Sequence, residues 1–299
     1  MVRIITDSTS SIPQDIRAEL GIEVASLIIN RNGEELVESE TDLDAFYKDI
    51  YEMADNIPTS SQPPLGKVRE VVESIAKTSD EVLGIFISSK MSGTFESFVH
   101  TAKEVKNDLP NFRFAAIDSM TNCMEMGWPA IAAAKAAKTG ASLDGCIQAA
   151  NTSLHSTRFV FAPESLLFLQ KGGRIGKAAA LIGNMISLTP VLTVNDGEAS
   201  TFSKCRTQKK ALAKMLQVLG EDTAPSGLKN LVVHYIGSKA PAVKWAEEKV
   251  APLIGFMPRV VPASPVIGVH VGPAMGIAYE CNAPIPNKFH SSEPEIIVC

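Results

Sequence analysis

The chain has 299 residues, 45% of them hydrophobic, with 28 Lys and Arg against 33 Asp and Glu and a formal net charge of -5. That length supports one large core or, more naturally, two smaller ones, as in an ordinary globular protein. The mild acidity, with neither sign gathered into a tail, argues against a nucleic-acid-binding surface.

In chain order, VRIITD (2–7) reads as a short buried strand and IEVASLIIN (22–30) as a second. DLDAFYKDIYEMA (42–54) and PLGKVREVVESIAKT (64–78) have helical spacing, and EVLGIFIS (81–88) is again strand-like. ESFVHTAKEVKN is helical, FRFAAID (112–118) is a strand, and MGWPAIAAAKAAKTG (126–140) is an alanine-rich helix ended by Gly140. Strands separated by helices imply an α/β fold whose N-terminal part is a parallel sheet flanked by helices.

The character changes near STRFVFAP (156–163). PESLLFLQKGG and KAAALIGNMIS read as helices, as do TQKKALAKMLQVLG and APAVKWAEEKVAPLI. PVLTVNDGEASTFSKC, KNLVVHYIG and VIGVHVGPAMGIAYE read as strands, and the Asp-Gly of VNDGEAS predicts a hairpin. The expected organisation is an α/β domain over 1–155, a second α/β domain with a mixed or antiparallel sheet over 156–283, and a tail over 284–299. The tail's EIIVC could add an edge strand.

Several N-terminal strands end in hydroxyl residues: ITDSTSS, ISSKMSGTF and IDSMTN. In a parallel sheet these ends share one edge with the starts of the following helices, where ligands bind. Ser92 or Thr94 can cap the helix that follows, and Gly93 permits close backbone approach, a cradle suited to a carboxylate or phosphate. The alternative is that each serine is only a cap.

Other chemistries fit less well. MSGTF is not the GxSxG elbow of a serine hydrolase, and GGRIGK (172–177) is followed by Ala178 rather than the Ser or Thr of a phosphate loop. Asp7 and Asp118 lack the His or Asp companions of a metal site and read as strand-end carboxylates bonded to backbone N–H groups. The five cysteines are widely spaced with no CxxC pair, so neither a disulfide framework nor structural zinc is indicated. No run approaches the ~18 apolar residues of a membrane span, and the N-terminus has no long apolar stretch, so a cytoplasmic location is expected. His270, read as lying within an apolar strand, either faces solvent or faces a cleft across from Ser89 and Ser92.

Taken together, IITDSTSSIP, IPTSSQPPLGKV (57–68), ISSKMSGTFESF, IDSMTNCMEMG, LLFLQKGGRIGKAAALIG and IGVHVGPAMGIAY resemble the DegV family of bacterial fatty-acid-binding proteins, in the family's order from residue 2 to about 281. The resemblance implies a two-domain α/β fold holding one fatty acid in an apolar tunnel, with its carboxylate between the domains. Carried onto this sequence, the carboxylate-binding residues are Thr59, Ser60, Ser61, Ser89, Ser92, Gly93 and His270. It further implies a carrier that presents the acid to a separate ATP-dependent kinase subunit for acyl phosphate formation in phospholipid synthesis. No catalytic machinery, cofactor or metal of its own is implied, and no nucleic acid or stable membrane insertion, though transient membrane contact fits. Arg174, Lys177 and Arg206 are candidates for the rim that meets the kinase. CMEMGWPAI departs from the family's glycine-rich run, so Met124, Met126 and Trp128 are candidates for shaping the tunnel, and Ala274 stands where glycine is usual. The competing reading is a self-contained phosphotransferase or hydrolase at the same cleft, for which His270 is the available base.

Overall fold

Runs rich in Val, Ile and Phe form the buried strands here, and capped, periodic segments form the helices between them. The structure is a computed structural model and describes residues 1–78, 81–182, 188–286, 288 and 293–299. The N-terminal part runs Val2–Asp7 (β1), Gln14–Leu20 (α1), Glu23–Ala25 (β2), Ile28–Arg31 (β3), Glu34–Val37 (β4), Leu43–Lys48 (α2), Thr59–Ser61 (β5), Leu65–Ala76 (α3), Glu81–Phe86 (β6), Thr94–Asp108 (α4), Phe114–Asp118 (β7), Cys123–Lys138 (α5) and Leu143–Ser156 (α6). There follow Thr157–Pro163 (β8), Leu167–Lys171 (α7), Thr189–Asn195 (β9), Glu198–Cys205 (β10), Gln208–Thr223 (α8), Leu228–Ile236 (β11), Lys239–Trp245 (α9), Ala251–Ile254 (α10), Arg259–Pro262 (β12), Pro265–Val271 (α11), Ala274–Cys281 (β13) and Ile296–Val298 (β14).

Two of the sheets carry the fold. The first has the order β14-β7-β6-β1-β2, parallel except for β14, which pairs antiparallel with β7 at the edge. The second has the order β10-β9-β8-β13-β11-β12 and is mixed, with only the β11–β12 pair parallel. The protein is thus an α/β protein with two sheet-containing domains. A small antiparallel sheet, β4-β3-β5, lies apart from both. Asp196 and Gly197, at φ 51° and 82°, make the β9–β10 turn that the Asp-Gly pair predicts.

One apolar core joins the two main sheets, with Ile85, Ile117 and Met124 in the same cluster as Phe159, Phe161 and Val269. A second lies beneath α8 and α9 around Met215, Trp245 and Tyr279, and a third beneath α3 and α4 around Phe86, Phe98 and Phe114. Each such buried aromatic contributes about 2–3 kcal/mol of transfer free energy. Pro129 lies within α5 and lacks the N–H that would bond the Glu125 carbonyl. That carbonyl instead accepts the Thr157 hydroxyl at 3.4 Å.

Several elements differ from the sequence reading. Residues 22–30 are not one strand: Leu27 N–H donates to Ser8 Oγ at 3.0 Å, and the chain leaves β2 for β3 in another sheet. The helix expected over 42–54 ends at Lys48 and gives way to a single tight turn at Glu52–Ala54. PESLLFLQKGG yields only the five-residue α7, and KAAALIGNMIS forms a tight helix over Gly176–Leu181, its residues 183–187 lying outside the described residues. The segment holding His270 is helix, not strand. Ser264 accepts the Ile267 N–H at 3.2 Å and Pro265 occupies the first turn, so the cap outweighs the strand preference of Val266, Ile267 and Val269.

Candidate functional site

The parallel sheet reverses its strand order at β1, which has β2 on one side and β6 on the other. Crevices open at the carboxyl ends of strands at such a point. Here a cavity of about 310 Å³ is enclosed by the loops after β2 and β6, by β5, by α11 and by the second sheet's β8, β9 and β10. Leu27, Ile87, Phe161, Leu169, Ile267 and Val271 make apolar walls. Ser60, Ser61, Gln62, Ser92, Arg174 and His270 contribute its polar groups. A smaller hollow, of about 20 Å³, shares Asn122, Phe161, Ile267 and Val271 with the cavity and continues toward Phe159, His234 and Met275.

α11 is pinned at its start. Tyr47 Oη lies 2.8 Å and 2.9 Å from the Ala263 and Ser264 carbonyl oxygens, and Glu38 Oε1 accepts the Val266 N–H at 2.8 Å. Its last turn carries His270, whose Nε2 is 2.8 Å from Ser60 Oγ. Burial, reinforced by the Arg174 charge, pushes the imidazole down to about 4, so it is neutral at physiological pH. Nδ1 is buried with no hydrogen-bond partner.

Gly172 explains how the ring fits. A Cβ there would lie 2.5 Å from His270 Nδ1 and 2.9 Å from the Phe168 carbonyl oxygen. Gly172→Ala is therefore expected to displace the imidazole and cost about 1–3 kcal/mol. Urea unfolding together with NMR of the imidazole nitrogens checks this; unchanged stability and unchanged His270 shifts would contradict it.

Ser92 Oγ is 2.8 Å from Thr94 Oγ1, and its N–H donates to the Ser88 carbonyl at 3.1 Å. Gly93 begins α4 without a side-chain cap, and a Cβ on it would meet Gln62 Oε1 at 2.7 Å. Arg174 is held at the mouth by two carbonyls, donating from Nη1 to Gly172 at 2.8 Å and from Nε to Met91 at 3.2 Å. Its guanidinium is thereby aimed without being neutralised by a carboxylate in these contacts.

The structure thus brings Ser60, Ser61, Ser92, Gly93, Arg174 and His270 to one cavity. Thr59 is exposed in β5 outside its walls, and Ser89 donates its N–H to Asp118 Oδ1 at 3.2 Å. Lys177 ion-pairs with the buried Asp196 at 3.0 Å. Arg206 follows β10 at the end opposite the Asp196–Gly197 turn, on the order of 25 Å from it at about 3.3 Å per residue. Met124, Met126 and Trp128 are buried in α5, and none of them lines the cavity or the hollow. Met124 N–H does approach His234 Nε2 at 3.3 Å, at the far hollow.

Asn122 was not singled out by sequence. It lines both spaces, donates from Nδ2 to Met91 Sδ at 3.3 Å and keeps a buried Oδ1 without a partner. Its position just before the N-terminus of α5 is the signal that was available. Asp7 and Asp118 do take backbone N–H groups: Ile87 N–H at 2.7 Å to Asp7, and Met120 N–H at 2.9 Å to Asp118.

These features define a two-sheet α/β protein enclosing a cavity with apolar walls and a polar cluster. The chain belongs to the DegV family: a family model described as "Uncharacterised protein, DegV family" matches residues 1–282. A DegV domain-containing protein of Clostridium acetobutylicum is 41% identical over 280 residues, covering 93% of this chain and 97% of its own length. The crystal structure of Bacillus subtilis DegV, described as a fatty acid binding protein, is 30% identical with a TM-score of 0.83, covering 94% of this chain and 99% of that one. A Thermus thermophilus DegV family protein, whose structure is described by its fatty acid binding, is 27% identical with a TM-score of 0.80, covering 93% and 99%.

Proposed function

We propose that the protein holds a long-chain fatty acid, its tail along the apolar walls and its carboxylate at the polar cluster. The observation that carries this reading is one cavity joining Leu27, Phe161 and Ile267 to Ser60, Ser92, Arg174 and His270. The fatty acid binding of two similar DegV proteins supports it.

In the Nε2–H tautomer His270 donates to Ser60 Oγ, which leaves the Ser60 hydroxyl proton for the carboxylate. Ser92 and the start of α4 supply further donors, and Arg174 supplies the charge. Tail burial, at about 0.8 kcal/mol per CH₂, provides most of the affinity. Gln62 and Asn122 also face the cavity.

The protein would then act as a carrier, with 1–155 and 156–283 closing on the ligand and the carboxylate presented to a separate cytoplasmic ATP-dependent kinase. The product is an acyl phosphate for phospholipid synthesis. The reading gives this chain no catalytic residue and no cofactor. Ser60 and His270 resemble a nucleophile–base pair in distance alone. A histidine with pKa about 4 is a poor base at neutral pH, and its unpartnered Nδ1 lacks the orienting carboxylate of a triad.

Protein purified without detergent is expected to release a fatty acid close to one per chain in an organic extract read by mass spectrometry. Absence of lipid together with failure to take up added fatty acid would reject the reading.

A further inference from the structure

The hairpin of β9 and β10 is loosely joined to its own sheet. β10 is the edge strand, and among the described residues β9 pairs with β8 at Leu192 and Thr193 alone. The Thr193 hydroxyl donates to the Phe159 carbonyl at 2.7 Å, and beyond that tie residues 194–199 leave the ladder to β8. They form a projection with two faces. On one side Val194 and Ala199 complete the wall of the cavity of about 310 Å³. On the other, Val194, Asn195 and Ser200 bound a separate polar hollow of about 140 Å³ that reaches Arg158, which gives the projection space on its far side.

The tip is caught by the loop that follows β6 in the other sheet. Ser88 Oγ donates to the Gly197 carbonyl at 2.8 Å and Lys90 Nζ to the Asp196 carbonyl at 2.7 Å, while the Asp196 carboxylate turns instead to Lys177 at 3.0 Å. The same loop supplies Met91, Ser92 and Gly93 to the cavity wall, so the catch closes beside the polar cluster. Other ways into the cavity break more. Parting the two sheets opens the apolar core they share around Ile117, Met124 and Phe161, and moving α11 breaks its bonds to Tyr47 and Glu38. Lifting the turn breaks the Ser88 and Lys90 bonds and bares the small side chains of Val194 and Ala199.

We propose that residues 194–199 are a flap over the cavity, with Ser88 and Lys90 as its catch, and that fatty acid enters and leaves between this turn and the Ser88 loop. The proposal rests on the fatty-acid reading. Neither Ser88 nor Lys90 lines the cavity, so the catch sets the rate of exchange rather than the affinity.

The test is stopped-flow release of bound cis-parinaric acid, a fluorescent fatty acid, chased by excess oleic acid. Lys90→Met, at an exposed position, is expected to speed release about fivefold or more at an unchanged Kd. Ser88→Cys combined with Gly197→Cys supplies the opposite arm, since a Cβ on Gly197 would lie 2.6 Å from Ser88 Oγ and a disulfide there ties the catch. Oxidised, this variant is expected to release the probe about tenfold more slowly than the same variant reduced, a comparison that holds if Lys90→Met folds poorly. The flap is overturned and the fatty-acid reading kept if the parent chain binds the probe but Lys90→Met releases it at the parent rate, or releases it faster only in proportion to a weakened Kd. Equal release from the oxidised and reduced cysteine pair overturns it in the same way. Failure of the parent chain to take up the probe overturns both.

Discussion

His270→Ala and Ser60→Ala are each expected to lower kinase-coupled acyl phosphate formation by about tenfold or more while the purified protein still carries its fatty acid. A hydrogen bond to a charged group is worth about 1.5–3 kcal/mol, which is roughly one to two decades in an equilibrium or rate constant. Tail burial is much larger: at about 0.8 kcal/mol per CH₂, a chain of some fifteen carbons exceeds that loss several-fold. Retention and presentation should therefore separate. Without the imidazole, Ser60 has no fixed partner and the carboxylate loses its orientation, which taxes transfer more than binding. Ser92→Ala should behave in the same direction. Arg174→Glu should be more severe, since under the proposed carrier reading it places a like charge at the mouth where a nucleotide phosphate would approach. The measurement is turnover with the kinase subunit and ATP, alongside mass spectrometry of bound lipid. Wild-type turnover in both H270A and S60A would remove these residues from the head-group site, and loss of lipid with normal folding would place them along the tail.

Much of this site was legible in the sequence because local chemistry fixed it. The Ser-Gly turn before α4 needed no long-range information to be marked as a candidate, whereas the hydroxyls of β5 were marked only by the family resemblance. The same reasoning expected the hydroxyls of three strand ends to meet, and here tertiary structure intervened. Ser92 lines the cavity between the sheets, but Ser8, Ser10 and Ser11 line a separate crevice beside α1. Ser8 is drawn there by the N–H of Leu27, nineteen residues on, a contact with no local signature. His270 shows the opposite case. A strand reading followed from its valines, although Ser264 and Pro265 already spelled a helix start. α6 could likewise have been found from Ser142 as cap and the spacing of Leu143, Cys146, Ala150 and Leu154. Glu38 was beyond reach, because nothing in NGEELVESE distinguishes the one glutamate that folding buries.

Lys288→Met is expected to destabilise the protein by about 3–5 kcal/mol, although the residue lies beyond the matched family segment, which ends at 282. The ammonium contacts Glu125 Oε1 and the Thr157 carbonyl, with Thr157 Oγ1 at 3.3 Å, and the Thr121 hydroxyl donates to the other Glu125 oxygen. The two charged side chains are 6% and 1% exposed. Burial pushes the Lys288 pKa down and the Glu125 charge opposes that shift, so the pair is held by mutual compensation rather than by solvent. Removing the lysine alone leaves the carboxylate in the interior without its contacting cation, its remaining positive neighbour being Arg158, which is already paired with Asp222, and this costs far more than the intact pair contributes. The tail is fixed on either side of this point: Ile285 is buried and donates its N–H to the His155 carbonyl at 2.8 Å, and β14 pairs along β7. A lysine anchored between two such attachments should couple the tail to α5 cooperatively. Glu125→Gln combined with Lys288→Met should therefore recover most of the loss, because two uncharged partners carry little desolvation penalty. Urea unfolding of the single and double variants measures the coupling. A Lys288→Met variant within about 1 kcal/mol of the parent, or a double variant as unstable as the sum of the singles, would show that the tail lies on the domain without being held by this pair.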